Sequence, residues 1–349
     1  MADRDRGRPV RVLVVDDSAL VRRALARGLS AEPGIEIIGT APDAFVARDL
    51  IVRRAPDVVT LDLELPRLDG LTFLRRLMRH HPLPVIVLSS FTPKGSAKAL
   101  DAMAAGAVEV VCKPLAAAAA GALPALLAGV IKNVGKAKVA PSRARPAVRA
   151  PEGGAYGNVV AALGASTGGT VALEEVLRAM PADALPLVIT QHLPAMFSAA
   201  FAERLARAAR LDVRVAKHGD KVQRGVALVA PGDHHLRLCR GAGGLWVSVT
   251  TEPPVNRHRP SVDVLFQSAA ESAGANAVGV LLTGMGADGA QGLLAMRRAG
   301  AATLVQDEAS SVVFGMPRAA IELGAAERVT SLCELPAVLL SLAVRQARR

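Results

Sequence analysis

Short apolar runs alternate with amphipathic stretches between Val10 and Lys113. The apolar runs VRVLVV, IEIIGT, DVVTLDLELP, VIVLSS and VEVVCKP have the length and composition of buried strands. Stretches such as ALVRRALARGL and LTFLRRLMRH carry apolar residues at helical spacing, and Ser18 is placed to cap the first of these helices. Five strands that alternate with five helices predict a parallel, doubly wound sheet.

A second alternating pattern begins near residue 158. It contains the apolar runs NVVAALG, LPLVITQH, NAVGVLL and ATLVQD, with helical patterns such as VALEEVLRAM and PSVDVLFQSAAES between them. The stretch from Asp212 to Pro254 is interrupted by Gly-Asp, Arg-Gly and Gly-Gly pairs, which indicate antiparallel hairpins. We therefore expect a second doubly wound α/β domain that carries an antiparallel hairpin insertion.

The two patterns are separated by residues 131–156, which are rich in Pro, Ala, Gly and basic side chains. Neither helical nor strand periodicity holds across this stretch, although one short helix could form at its start. A semi-extended linker is the simplest interpretation. The predicted organisation is a first domain at 1–130, a linker at 131–156 and a second domain at 157–349.

Composition and charge narrow the possible environments and partners. The net charge of +11 could indicate nucleic acid or a membrane surface, but part of this positive charge is concentrated in the predicted linker, and only 3% of residues are aromatic. The run Pro114–Ile131 approaches the length of a membrane span but is interrupted by proline and glycine. Three widely separated cysteines and the lack of a signal-peptide pattern favour a cytoplasmic protein. Because the charge is partly local, aromatic residues are few and the apolar run is interrupted, we expect neither nucleic-acid binding nor membrane insertion.

Polar residues occupy the carboxyl ends of the strands predicted in the first domain. They are Asp16, Asp17, Asp62, Ser89 and Lys113. The carboxyl ends of parallel strands share one edge of a sheet, so these side chains should converge there. Three close carboxylates require compensation, which Mg²⁺ could supply, and Lys113 could pair with a carboxylate or a phosphoryl oxygen. Asp62 would then be a nucleophile that accepts a phosphoryl group; ordinary strand-end polarity is the alternative.

The motifs VDDS, TLDLELPRLDG and KP resemble those of response-regulator receiver domains, which have a flavodoxin-like fold. The resemblance covers about residues 9–130. It implies phosphorylation at Asp62, Mg²⁺ bound by Asp17 and Asp62 with help from Asp16 and the Glu64 backbone carbonyl, and switch roles for Ser89 and Lys113. Val110 stands where receivers usually carry Tyr or Phe, so an aromatic rotamer switch is not carried over.

The segment Gly164–Gly169, GASTGG, follows an apolar strand and precedes a helix. It satisfies the G-x-S-x-G pattern in which a serine lies at the crest of a strand-to-helix turn. Alone, the pattern is weak evidence for catalysis, because such turns also simply connect elements or bind phosphate. Ser166 is therefore a candidate nucleophile only if an acid and a base lie beside it.

His192 and Asp288 also follow apolar strands of the second domain, so all three side chains could meet at one sheet edge. His192 could accept the Ser166 proton while Asp288 orients the imidazole. Backbone N–H groups at Met285 and near Thr167 could stabilise an oxyanion.

Other histidines and acids offer alternatives. Asp233 with His258 would fit the chain order of α/β-hydrolases, but both are predicted in hairpins or loops. His258 lies between Arg257 and Arg259, a cluster that could face an acidic substrate or form structural ion pairs. The spacing of His218, His234 and His235 does not indicate a metal site.

The motifs GASTGGT, QHLPAMF, APGDHH, PPVNRHRPSVDVLF, LLTGMGADG and FGMPRAAI resemble the chemotaxis methylesterase family, the CheB-type enzymes. The resemblance covers residues 157 to about 345. It implies hydrolysis of glutamate γ-methyl esters on methyl-accepting chemotaxis receptors with release of methanol, and deamidation of receptor glutamines. It also implies a triad of Ser166, His192 and Asp288, an oxyanion site near Met285, no cofactor for the esterase step, and a chemotaxis histidine kinase as phosphodonor. The alternative is a response regulator with a DNA-binding or non-catalytic output domain.

Overall fold

The structure is a computed structural model that describes residues 8–89, 92–113, 123–135 and 155–349. The chain divides into two compact units, Met1–Arg143 and Ala144–Arg349. The predicted linker residues 136–154 lie outside the described residues, as do residues 114–122. The domain limits at residues 130 and 157 stay predictions.

The first unit is built on a five-stranded parallel sheet in the order β2-β1-β3-β4-β5. The strands are β1 (Val10–Val15), β2 (Ile35–Ala41), β3 (Val58–Asp62), β4 (Val85–Ser89) and β5 (Glu109–Cys112), and the helices are α1 (Ala19–Ser30), α2 (Ala44–Arg54), α3 (Gly70–His80), α4 (Pro93–Ala104) and α5 (Leu123–Val134). Strands β3 and β4 are buried along their whole length, as expected for parallel strands covered by helices on both faces. Ser18 caps α1 as predicted, because its side chain accepts a hydrogen bond from the Val21 N–H.

The second unit contains a seven-stranded parallel sheet in the order β14-β13-β12-β6-β7-β9-β8 and an antiparallel pair, β10 and β11. Its strands are β6 (Val160–Ala165), β7 (Leu187–Gln191), β8 (Asp212–Val215), β9 (Val226–Val229), β10 (His235–Gly241), β11 (Gly244–Thr250), β12 (Ala277–Leu281), β13 (Ala302–Gln306) and β14 (Arg328–Thr330). Its helices are α6 (Gly169–Ala179), α7 (Ser198–Ala208), α8 (Val262–Ser272), α9 (Ala290–Arg298), α10 (Met316–Glu322) and α11 (Leu335–Ala347). The predicted fold, two doubly wound parallel-sheet domains with a hairpin insertion in the second, is confirmed.

The hairpins predicted across residues 212–254 are only partly correct. β10 and β11 do form an antiparallel hairpin, but β8 pairs in parallel with β9 at the edge of the main sheet. The segment between them runs beside β11, where the Gly219 N–H donates to Val247 O and the Val222 N–H donates to Leu245 O, and then returns. Its glycines and aspartates therefore belong to a crossover connection, and the sequence pattern of turns did not reveal the strand direction.

One further expectation concerns the apolar run at Pro114–Ile131. Its described part, from residue 123 onward, lies in α5, which packs against α1. Within the ranges that the structure covers, no helix is both long and apolar enough to cross a bilayer.

Candidate active site

The three residues of the predicted triad follow three adjacent strands at the centre of the seven-stranded sheet. Ser166 follows β6 directly, His192 follows β7, and Asp288 lies on the loop after β12, with β6 between the other two strands. The last residues of β6 and β7 are register partners, and the His192 N–H donates to Ala165 O at 3.1 Å. Neighbouring strands lie about 4.8 Å apart, so the topology brings Ser166 and His192 to adjacent positions on the same sheet edge.

A tight turn holds Ser166 at the start of α6. Its carbonyl accepts a hydrogen bond from the Gly169 N–H at 2.7 Å, and its own N–H donates to Thr283 O at 3.0 Å. Gly168 takes the left-handed conformation, with φ at 79°, which a residue with a Cβ rarely adopts. A Cβ built on Gly284 would lie 2.8 Å from the Ser166 Cβ, so the loop after β12 passes directly against the serine.

His192 is bonded to Asp288 through Nε2, which lies 2.8 Å from the Asp288 Oδ2. The other ring nitrogen, Nδ1, is buried and has no hydrogen-bond partner among the residues that the structure describes. It is therefore not bonded to the Ser166 Oγ, although such contacts often tighten only when substrate binds. With Nε2 bonded to the carboxylate, Nδ1 is the nitrogen left to accept the serine proton.

The Asp288 carboxylate is buried and receives hydrogen bonds on both oxygens. Oδ1 accepts from the Ser261 Oγ at 2.8 Å and the Asn256 Nδ2 at 2.7 Å, and Oδ2 accepts from the Val262 N–H at 2.7 Å as well as from His192. Burial opposes the charge, but these donors outweigh it and hold the pKa of Asp288 well below its usual range. The carboxylate thus stays ionised at the N-terminus of α8, where the helix dipole also favours a negative charge.

The oxyanion donors predicted from the sequence lie on the loops around Ser166. The Met285 N–H follows Gly284, which contacts the serine, and it has no hydrogen-bond partner within the described segments. Thr167 is buried, and its carbonyl accepts a hydrogen bond from the Thr283 Oγ1 at 3.0 Å. In the described part of the chain, the N–H of Met285 is therefore the unpartnered donor near the serine, which is the feature that an oxyanion site requires.

A second imidazole lies against the triad. The ring of His258 stacks on that of His192, with 3.8 Å between centroids and 9° between planes. Burial and the neighbouring His192 lower the pKa of His258 to about 4. The carboxylate bonded to an imidazole is Asp288, and the described residues show no hydrogen bond between the Asp233 and His258 side chains, so the alternative pairing is not the arrangement observed.

The lowered pKa of His258 predicts a loss of stability in acid. The unfolded chain takes up a proton near pH 6.5, whereas the folded chain resists it until about pH 4, so the free energy of unfolding falls as the pH drops through this window. We expect His258→Phe, which cannot be protonated, to reduce this fall by up to about 2 kcal/mol. Urea unfolding at pH 7 and pH 4.5, followed by the fluorescence of the single tryptophan, Trp246, measures the difference. An equal fall in both proteins would contradict the prediction.

The arginines beside His258 differ in their surroundings. Arg257 is exposed on the turn, whereas the Arg259 Nη1 donates to the carbonyls of Thr251 and Glu252, both at 3.3 Å. Arg257 is therefore the better placed of the two to meet an acidic partner. Arg259 holds the preceding segment in place.

The predicted acidic cluster of the first unit is also assembled. Carboxylate oxygens of Asp16, Asp17 and Asp62 all lie within 4.8 Å of one another. The Lys113 Nζ pairs with the Asp62 Oδ2 at 2.6 Å and with the Asp16 Oδ2 at 2.8 Å. Burial raises the pKa of Asp62 in spite of Lys113, and the two carboxylates raise the pKa of Lys113 in spite of its own burial. Ser89 is buried at the end of β4, and its carbonyl accepts from the Lys113 N–H at 2.8 Å.

Several residues of the candidate site were not predicted from the sequence. Gln191 donates through Nε2 to the carbonyls of Ser166 and His192, at 2.9 and 3.3 Å, and so fixes both turns. Asn256 and Ser261 both bind Asp288. The sequence indicated a loop at Asn256 and the start of a helix at Ser261, and it assigned neither residue a role at the site. Two signals were available: Gln191 lies at the end of a predicted strand, and all three residues fall within the motifs QHLPAMF and PPVNRHRPSVDVLF that carry the family resemblance.

Comparison with known proteins identifies a family for each of the two units. The family model described as CheB methylesterase matches residues 161–339, and that of the response regulator receiver domain matches residues 12–121. The chain is 54% identical over 340 residues to protein-glutamate methylesterase/protein-glutamine glutaminase 4 of Anaeromyxobacter dehalogenans, with 96% of each chain covered. It is 50% identical over 343 residues to protein-glutamate methylesterase/protein-glutamine glutaminase 2 of Pseudomonas aeruginosa, which covers 97% of this chain and 98% of the relative.

Among solved structures, the catalytic domain of the CheB methylesterase of Thermotoga maritima is similar to the second unit. It is 34% identical in sequence, has a TM-score of 0.52, and covers 53% of this chain and 98% of the Thermotoga chain. The DNA-binding alternative finds no support, because the second unit is a seven-stranded parallel sheet and not a short helical module with a recognition helix.

Proposed function

The chain belongs to the CheB methylesterase family and carries a response regulator receiver domain before the catalytic domain, and on this basis we propose that it is a phosphorylation-activated protein-glutamate methylesterase. Its substrates would be the γ-methyl esters of glutamates on chemotaxis receptors, and its products the free carboxylate and methanol. The observation that carries the proposal is the bond between His192 and the ionised Asp288, with Ser166 directly after the neighbouring strand β6.

The reaction we propose is a two-step acyl transfer. The Ser166 Oγ attacks the ester carbonyl carbon while the His192 Nδ1 accepts its proton, and Asp288 stabilises the resulting imidazolium. We assign the Met285 N–H, which has no hydrogen-bond partner among the described residues, to bind the negative oxygen of the tetrahedral intermediate. The imidazolium then protonates the departing methoxide, and methanol leaves an acyl-enzyme that water hydrolyses by the same route in reverse.

The same residues can act on a glutamine side chain. Attack by Ser166 on the amide carbonyl forms the same acyl-enzyme, and the leaving group becomes ammonia after protonation by His192. The names of the relatives include both activities. We therefore include protein-glutamine glutaminase activity in the proposed function.

The receiver domain supplies the proposed regulation. Asp62 is the phosphorylation site of the proposal, with a chemotaxis histidine kinase as the donor. Asp16, Asp17 and Asp62, together with the Glu64 carbonyl, would hold a Mg²⁺ ion, which would neutralise charge on the phosphoryl oxygens. The cluster of oxygen donors within 4.8 Å fits such an ion. Lys113 already pairs with Asp62 and would be available to a phosphoryl oxygen, with Ser89 at the end of the adjacent strand.

Methanol release from a methylated receptor preparation tests the proposed activity. The full chain should release methanol, and addition of acetyl phosphate with Mg²⁺ should accelerate the release. A chain that labels with a fluorophosphonate but releases no methanol would be a serine hydrolase with another substrate. A chain that does neither would not be a hydrolase of this type.

The regulatory part of the proposal makes a separate prediction. We expect Asp62→Ala to abolish the acceleration by acetyl phosphate, which should be about tenfold or more in the unaltered chain, since a few kcal/mol suffice for such a shift. The exposed Asp49, which pairs with Arg48 on α2, provides the control, and Asp49→Ala should respond normally. Acceleration that persists in Asp62→Ala would exclude this residue as the phosphorylation site.

A further inference from the structure

A tight turn at Val255–His258 carries two side chains that contact the triad. The N–H groups of Val255 and His258 each donate to the carbonyl of the other residue, at 3.1 and 2.9 Å. The two central residues, Asn256 and Arg257, both have positive φ, 53° and 67°. This is the pattern of a two-residue hairpin of type I′, in which asparagine is favoured. The turn therefore fixes Asn256 and His258 relative to each other.

The side-chain amide of Asn256 joins two buried carboxylates. Its Nδ2 donates to the Asp288 Oδ1 and to the Asp263 Oδ2, both at 2.7 Å. An amide nitrogen carries two hydrogens, so both are used, one on each acid. Asn256 itself lies at the surface, whereas Asp288 and Asp263 are only 3% and 8% exposed. The amide thus covers the two carboxylates from the solvent side.

Asp263 is held firmly on its other side. It lies in the first turn of α8, and its Oδ1 accepts from the Gly292 N–H of α9 at 2.6 Å. A Cβ built on Gly292 would lie 2.9 Å from the Asp263 carbonyl oxygen, so the two helices are in close contact here. The Asp263 carboxylate is consequently fixed to the start of α9, the helix that begins just after Asp288.

The geometry explains why a shared donor matters. Two carboxylates this close repel each other, and burial together with Asp288 raises the pKa of Asp263. Asn256 places a donor between them. Without it, the Asp288 Oδ1 would keep the Ser261 Oγ at 2.8 Å and the more distant Asp263 N–H at 3.4 Å. The orientation of Oδ2, the oxygen that holds His192, would then be less well fixed.

We propose that Asn256 is a positioning residue of the esterase reaction, which holds Asp288 in the orientation that keeps His192 aligned, with Asp263 as its fixed anchor. The inference rests on the proposed function, since it assigns Asn256 to the same triad. It adds a residue that acts through Asp288 and does not belong to the acid–base pair.

Two substitutions test the proposal without disturbing the turn. Asn256→Gly keeps the positive φ and removes the amide, whereas Asn256→Asp keeps the shape and replaces the donor with a third carboxylate. We expect kcat for methanol release to fall about tenfold in Asn256→Gly, where water can partly replace the amide, and about a hundredfold in Asn256→Asp, with little change in KM. The rate of Ser166 labelling by a fluorophosphonate should fall in parallel.

The pH dependence of labelling distinguishes a positioning role of Asn256 from a general loss of structure. In Asn256→Gly, Asp288 loses a donor and presents more negative charge to His192, so the imidazole holds its proton to higher pH. The acid limb of the labelling rate should therefore move to higher pH. If Asn256 had only a structural role, its substitution would lower the labelling rate at every pH and leave the acid limb at the same pH.

The control is Asn276→Gly, a change of the same kind at an exposed asparagine just before β12, at the sheet edge opposite Asp288. It should leave the labelling rate and its pH profile unchanged. Labelling of Asn256→Gly at the rate of the unaltered chain, or an acid limb that does not move, overturns the proposal. The labelling assay does not depend on the substrate, so absence of methanol release from the unaltered chain would count against the proposed function only.

Discussion

Ser166→Ala is expected to lower the rate of methanol release by a factor on the order of 10⁵. The alanine leaves the turn intact, because the hydrogen bonds that hold it are made by the backbone of residue 166 and by Gln191. It removes the only atom that forms the covalent bond, and His192 then has no hydroxyl from which to take a proton. We expect the KM for the methylated receptor to be nearly unchanged, since the substitution removes no binding surface beyond one oxygen.

The control for this substitution is Ser341→Ala, an exposed serine on α11. It should release methanol at the rate of the unaltered chain, and a fluorophosphonate should label it as fast. In Ser166→Ala the label should be lost together with the activity. If Ser166→Ala kept more than about one hundredth of the rate, the covalent route through this residue would be wrong.

The positions of Ser166, His192 and Asp288 were predictable because each follows an apolar strand. Parallel strands covered on both faces read as continuous apolar runs, and the rule that their carboxyl ends share an edge then places distant residues together. Asp16, Asp62 and Lys113 were placed by the same reasoning in the first unit. In both sheets the candidate site residues follow the end of an apolar run, which is a feature that a single sequence displays.

Contacts between loops were not predictable in this way. His258 stacks on His192, and Asn256 reaches Asp288, because a type I′ turn projects both side chains toward the triad. Nothing in the letters VNRH states where that turn lies relative to the sheet. The direction of β8 and β9 was missed for a related reason, since glycine and aspartate mark a change of direction without specifying the partner strand. β14 has only three residues, two of them exposed, and too little pattern to be recognised.

Asp288→Asn should reduce kcat for methanol release about 10⁴-fold, although the side chain keeps its shape. The Asp288 carboxylate meets only donors: the Ser261 Oγ and Asn256 on one oxygen, and the Val262 N–H and His192 on the other. An amide must turn its NH₂ toward one of these pairs, which leaves donors facing donors. If the NH₂ faces His192, the ring must present its lone pair at Nε2 and carry its proton on Nδ1, the nitrogen that has to accept the proton of Ser166.

The same mismatch predicts a structural cost, which distinguishes this substitution from the serine variant. Buried donors left without acceptors should lower the free energy of unfolding by about 1–3 kcal/mol, measured by urea unfolding with Trp246 fluorescence. Asp212→Asn, at the exposed first residue of the edge strand β8, should change neither quantity. Because the triad acts as a unit, Ser166→Ala combined with Asp288→Asn should be no slower than Ser166→Ala alone. A double variant that lost a further factor of 10⁴ would mean that Asp288 acts by a route independent of Ser166, and the bond observed between His192 and Asp288 would then need another explanation.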